Sequence, residues 1–187
     1  SIGLLALCSI AIVGCTSETP SGDSTTVNAE LSVITSEFGK APNGETVNAF
    51  TLTNANGYTA VIIEFGGILH SLEMPDKNGN TVDILLGCAD VEGYNTDSPF
   101  FGASTGRYAN RIANGKFTLD GTEYTLATNN GNHHLHGGNI GYNKVMWKGE
   151  SFQNETEVGV TLTYVSPDME EGYPGNLSNT VIYSLND

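Results

Sequence analysis

The chain has 187 residues, enough for one domain with a sizeable core and too few for two comfortable ones. Seven Lys and Arg stand against 21 Asp and Glu, a formal net charge of −14, so the surface repels phosphate backbones and nucleic acid is excluded as a partner. Apolar residues at 39%, charged residues at only 15% and 23 Gly describe a folded, loop-rich protein and not a disordered acidic tail.

Residues 2–14 (IGLLALCSIAIVG) form an uncharged apolar run. It is well short of the roughly 20 residues a helix needs to cross a bilayer, and it reads as the apolar part of an export signal. Its end, Ile12-Val13-Gly14-Cys15, resembles a bacterial lipobox, which implies lipidation of Cys15 and an exported lipoprotein anchored at the periplasmic or outer-membrane face. No Met and no basic stretch precede Ser1, so the expectation is an incomplete N-terminus. Residues 15–30, Cys15 followed by TSETPSGDSTTVNAE, make a polar tether, and the domain is expected to run from Leu31 to Asp187. Cys88, in the apolar stretch LLGCA, is the one cysteine of that domain and reads as a buried, inert thiol.

Along the domain, β-branched and aromatic residues recur in short runs bounded by Asn- and Gly-rich turns. Strands are predicted at 46–53 (TVNAFTLT), 58–65 (YTAVIIEF), 68–74, 81–86, 158–165 (VGVTLTYV) and 177–185 (LSNTVIYSL). In KFTLDGTEYTL (116–126), Asp120-Gly121 supplies the positive φ angles of a two-residue hairpin turn between alternating segments. No segment of ten or more residues carries a helical period, so the chain is expected to be all-β, a sandwich or barrel.

Chemical potential concentrates in 106–138, GRYANRIANGKFTLDGTEYTLATNNGNHHLHGG, which holds both arginines and three of the four histidines. Two readings compete for Arg107 and Arg111: pairing with acidic groups to pin loops together, or planar multi-donor recognition of a polar ligand. His134 and His136 would share a face if extended and could offer two metal ligands, but no third ligand stands at a recognisable spacing. A loop in which His136 presents its imidazole while Gly137 and Gly138 admit a close backbone approach fits better, with His133 and His134 structural or solvent-facing. Asp168, Glu170 and Glu171 in SPDMEEGYPG read as an ordinary turn between strands.

Five stretches in order, FGKAPNGETVNAFTLTNANG (38–57), FGGILHSLEMPDKNGN (65–80), GRYANRIANGKFTLDG (106–121), NHHLHGG (132–138) and SPDMEEGYPGNL (166–177), resemble the aldose 1-epimerases, or galactose mutarotases. The resemblance implies a galactose-mutarotase-like, large antiparallel β-sandwich with an open sugar-binding cleft. It also implies interconversion of the α and β anomers of a free aldose by general acid and base, without metal or other cofactor. Asn110, Arg111 and His136 take the place of substrate-binding residues. The family's acid His and base Glu lie in motifs downstream of the Gly-Tyr-Pro-Gly turn and are expected beyond Asp187, so the chain reads as an N-terminal part that is inactive alone. A non-catalytic carbohydrate-binding lipoprotein is the alternative. At Met169 the family usually has Gly.

Overall fold

A computed structural model describes residues 30–96 and 100–187. The apolar run, the lipobox Cys15 and the tether up to residue 29 lie outside the described residues. Five strands, β1 (Ser32–Lys40), β2 (Thr46–Thr53), β3 (Thr59–Ile63), β4 (Ile68–Pro75) and β5 (Thr81–Asp83), form one antiparallel sheet in sequence order. A short helix, α1 (Val91–Thr96), follows, with the Asp90 side chain accepting the Gly93 N–H at 2.8 Å as its N-terminal cap. Two small antiparallel pairs come next. β6 (Arg111–Ile112) pairs with β9 (His134–Leu135), and between them β7 (Lys116–Leu119) and β8 (Thr122–Thr125) make the hairpin turned by Asp120-Gly121. β10 (Lys148–Gln153), β11 (Glu157–Ser166) and β12 (Leu177–Asn186) form a three-stranded antiparallel sheet. No helix among the described residues is long and apolar enough to cross a membrane.

The central strands β2 and β3 of the five-stranded sheet are buried on both faces, and strand alternation sorts their residues between them. Phe50, Leu52, Ala60 and Ile62 pack with Trp147, which directly precedes β10, and with Val158, Val160 and Leu162 of β11, which makes the sandwich core. Val47, Ala49 and Ile63 face the other way, against Phe65, Ile68 and the α1 residues Val91 and Tyr94. The two faces explain why β2 and β3 carry apolar residues on both sides of the strand, within the short runs of β-branched and aromatic residues read in the sequence.

A buried carboxylate joins the sheets. Glu64, directly after β3, is only 8% exposed. Its Oε2 accepts the backbone N–H of Asn48 at 3.1 Å and its side-chain amide at 2.9 Å, and its Oε1 accepts the Gly149 N–H of β10 at 3.0 Å. The Glu64 carbonyl accepts the Trp147 N–H at 3.0 Å. β10 comes this close because Gly149 has no side chain: a Cβ there would stand 2.4 Å from the Phe50 ring.

The structure departs from the sequence reading at three places. β5 stops at Asp83, three residues early, because the Asp83 side chain accepts the N–H groups of both Leu72 and Leu85 and turns the chain out of the sheet. Leu86 is accordingly 73% exposed, and Cys88 is partly and not fully buried, packed at the edge of the α1 core. β1 and β10 escape the sequence reading because both are polar and largely exposed, with weak alternation.

Glu64→Ala strips the acceptor from three N–H groups at the join between the sheets. It is expected to lower the unfolding free energy in urea by about 3 kcal/mol. A loss below about 1 kcal/mol, the net worth of one ordinary hydrogen bond, would show that the join does not depend on this carboxylate.

Candidate functional site

The β6–β9 pair places Arg111 opposite Leu135 and Ile112 opposite His134, which brings the Asn110-Arg111 step beside His136. Asn110 sits in the left-handed region at φ 64° and His136 at φ 50°, and the two residues bond reciprocally. The Asn110 N–H donates to His136 Nδ1 at 3.0 Å, and the His136 N–H donates to the Asn110 carbonyl at 3.0 Å. Arg111 is held flat alongside, its Nε donating to Asn130 Oδ1 at 3.0 Å and its Nη1 to Asn110 Oδ1 at 3.2 Å. The three residues singled out in the sequence are therefore neighbours. Each keeps a donor that bonds to none of the described residues: Asn110 Nδ2, Arg111 Nη2 and His136 Nε2.

The ring nitrogens of the histidines have distinct tasks. A backbone N–H can only donate, so His136 Nδ1 accepts, and the neutral ring carries its proton on Nε2. His133 is arranged likewise, Nδ1 accepting the Asn114 N–H at 3.2 Å. His134 is the reverse: fully buried, it lies 2.8 Å through Nδ1 from the Ala127 carbonyl, which can only accept, and 2.8 Å through Nε2 from the Tyr173 hydroxyl. Both of its nitrogens are spent inside the protein. His134 and His136 do not share a face, because the left-handed turn at His136 ends β9 and swings that ring against Phe100, with ring centroids 4.6 Å apart. No group of three or more His, Cys, Asp or Glu suited to a metal occurs among the described residues.

Arg107 pins loops together, although not through acidic partners. Its guanidinium donates to Ser166 Oγ at 2.7 Å and to the carbonyls of Ser166 at 3.1 Å, Pro167 at 2.7 Å, Pro174 at 3.0 Å and Gly175 at 2.8 Å. The ion pairs among the described residues are all made by lysines at the surface. Carbonyl oxygens win because the turn between β11 and β12 curls them inward around the planar fork, where a carboxylate would need added side-chain volume. Glu170 balances the charge at one remove, accepting the hydroxyls of Ser166 and Tyr164. Tyr173, from the same turn, lies under Arg107 with 5.8 Å between the guanidinium carbon and the ring centroid. Burial raises its phenol to about 12, so it stays a neutral donor for His134.

Arg107, Tyr108, Arg111, Ile112, Phe117 and Tyr173 line an open cleft of about 480 Å³. Asn110 and His136 are not in its wall, so Arg111 is the link between the cleft and the Asn110–His136 pair. Sequence reasoning passed over Asn129, whose side chain donates to the Leu135 carbonyl at 2.9 Å and the Gly138 carbonyl at 2.8 Å and accepts the Leu135 N–H at 2.7 Å. Its only signal was its place in an Asn-Asn-Gly-Asn run, which reads as turn composition.

The family model described as aldose 1-epimerase matches residues 48–187. The chain belongs to the aldose 1-epimerase family. It is 46% identical over 156 residues to the galactose mutarotase of Bos taurus, which takes in 83% of this chain and 44% of that protein. It is 40% identical over 147 residues to the aldose 1-epimerase of Escherichia coli K12, across 79% of this chain and 42% of the other. The crystal structure of galactose 1-epimerase from Lactobacillus acidophilus superposes with a TM-score of 0.74 at 26% identity, covering 84% of this chain and 45% of that one. The chain thus spans less than half the length of these relatives, and its sandwich is the mutarotase-like fold that the sequence motifs implied.

Membership in the family also gives Met169 a physical meaning. Met169 is 55% exposed and left-handed at φ 63°, the conformation in which Gly has no steric penalty. Its N–H bonds the Tyr173 carbonyl at 2.8 Å, so the turn keeps its course despite the side chain. Met169→Gly is expected to raise stability by about 1 kcal/mol, seen as a higher melting temperature. A lower melting temperature would show that the exposed Met side chain contributes more than the strain it imposes.

Proposed function

We propose that this chain provides the sugar-holding part of an aldose 1-epimerase. In that reaction a base takes the proton of the anomeric hydroxyl while an acid protonates the ring oxygen. The ring opens, the aldehyde end turns, and closure gives the other anomer. Asn110 and Arg111 bind hydroxyls and the ring oxygen through Nδ2 and Nη2, and His136 donates Nε2–H to a further sugar oxygen. The observation that carries the reading is that 110, 111 and 136, made neighbours by the reciprocal Asn110–His136 bonds and the Arg111–Asn110 bond, each keep a donor that none of the described residues takes. Uncharged sugar suits such a set: it offers hydroxyls, and it is not repelled by a protein of net charge −14. Galactose is the first substrate to try, because the mammalian relatives are named for it. The acid His and base Glu are assigned, on the family's pattern, to residues beyond Asp187, so the chain alone binds without catalysing. Lipidation of Cys15 would hold this unit at a membrane surface, which labelled palmitate would report by reaching the wild-type chain and not Cys15→Ser.

Titration of the isotopically labelled chain with galactose should shift the signals of Asn110, Arg111 and His136. Arg111→Ala should weaken that binding by roughly tenfold, the equivalent of one charge-assisted hydrogen bond. Polarimetry of fresh α-galactose should show no acceleration above buffer. Acceleration by the pure chain would overturn the assignment of acid and base, and absence of any galactose shift would overturn the assignment of the binding residues.

A further inference from the structure

The loop that carries His136 bends through three successive left-handed residues, His136 at φ 50°, Gly137 at 93° and Gly138 at 109°. Such a path is held only if its polar groups are tied from outside. On its N-terminal side the tie is local, the Asn129 side chain bracketing Leu135 and Gly138. On its C-terminal side the tie comes from 31 to 32 residues away: Glu171 Oε2 accepts the Asn139 N–H and Oε1 the Ile140 N–H, both at 3.0 Å. One carboxylate thus takes two successive amides of the loop.

The surroundings are shaped for this contact. A Cβ at Gly138 would stand 2.0 Å from Glu171 Oε2, so the carboxylate occupies the space that glycine leaves. Glu171 is itself left-handed at φ 48° and follows Glu170, which is fixed by the hydroxyls of Tyr164 and Ser166, on the turn gripped by Arg107. A continuous set of bonds therefore runs from Arg107 through the turn to Glu171 and on to the loop behind His136.

The geometry points to Glu171 as a positioning residue that, through the Asn139 and Ile140 amides, holds the His136 ring in the single orientation in which Nδ1 accepts from Asn110 and Nε2–H faces the sugar. The inference rests on the reading of His136 as a sugar-contacting group. Glu171 touches no substrate in it. Its part is to hold a loop whose own residues are mostly glycine and asparagine and have little side chain with which to hold themselves.

The test compares the full 187-residue chain with Glu171→Gln, which keeps the size of the side chain and loses one of the two acceptors, and with Gly138→Ala, which displaces the carboxylate. Long-range proton–nitrogen spectra of the histidine rings read the tautomers directly. In the unaltered chain His136 should show one tautomer with a bare, hydrogen-bonded Nδ1. In both variants His136 should move towards a mixture of tautomers while buried His134 stays as it was, and galactose binding should weaken by roughly tenfold. An unchanged His136 ring in Glu171→Gln overturns the inference. So does joint displacement of His134 and His136 in that variant, because the carboxylate would then support the whole turn and not the loop. If the unaltered chain binds no galactose, the functional reading fails separately, and the ring spectra alone decide whether Glu171 sets His136.

Discussion

The arrangement of the candidate site depends on one guanidinium in a protein with very few. Arg107 spends five hydrogen bonds on the turn between β11 and β12, four of them to backbone carbonyls. Those carbonyls belong to a turn in which Met169, Glu171, Gly172 and Gly175 all have positive φ, so its backbone cannot satisfy itself through regular pairing. Charge-assisted bonds are the stronger kind, and a planar fork can reach several oxygens at once where an ammonium cannot. Once the turn is gripped, Tyr173 is placed against His134, and the short loop of Asn110 and Arg111 is fixed only three residues along the chain from the grip itself.

Two histidines two residues apart then separate into different chemical roles without any difference in side-chain type. His134 lies in β9, buried, with its protons and lone pairs committed to Ala127 and Tyr173. His136 lies past the strand end, where a left-handed backbone turns the ring against Phe100, and the bond from Asn110 to Nδ1 leaves Nε2–H unspent. The determinant is the backbone at residue 136 and the glycines after it. A Cβ at Gly137 would fall 1.6 Å from the Gly106 carbonyl, so the loop also passes directly against the segment that leads to Arg107. Fold and site are coupled at that contact.

Much of this could be read from the sequence, and the parts that could not have physical reasons. β2, β3, β11 and β12 were legible because burial of one or both faces imposes an apolar pattern on 46–53, 58–65, 158–165 and 177–185. The Asp120-Gly121 hairpin was legible because its turn needs positive φ. β1 and β10 were not, since strands with mostly exposed side chains have no pattern to maintain. Asn110, Arg111 and His136 were found through a family resemblance joined to a cluster of rare basic residues, and the structure adds that they are neighbours. The partners of Arg107 were misread because carbonyl oxygens have no signature in a sequence, and the only visible candidates were carboxylates. Glu171 was hidden for the same reason: its partners are the amides of Asn139 and Ile140, and any residue supplies an amide.

The central claim is that Asn110, Arg111 and His136 form one aldose-binding surface. A crystal structure of the chain with bound galactose tests it most directly. The account predicts sugar oxygens within hydrogen-bond reach of Asn110 Nδ2, Arg111 Nη2 and His136 Nε2 together, at roughly 2.7–3.2 Å. Galactose lodged elsewhere on the sandwich, with those three donors facing only water, would contradict it.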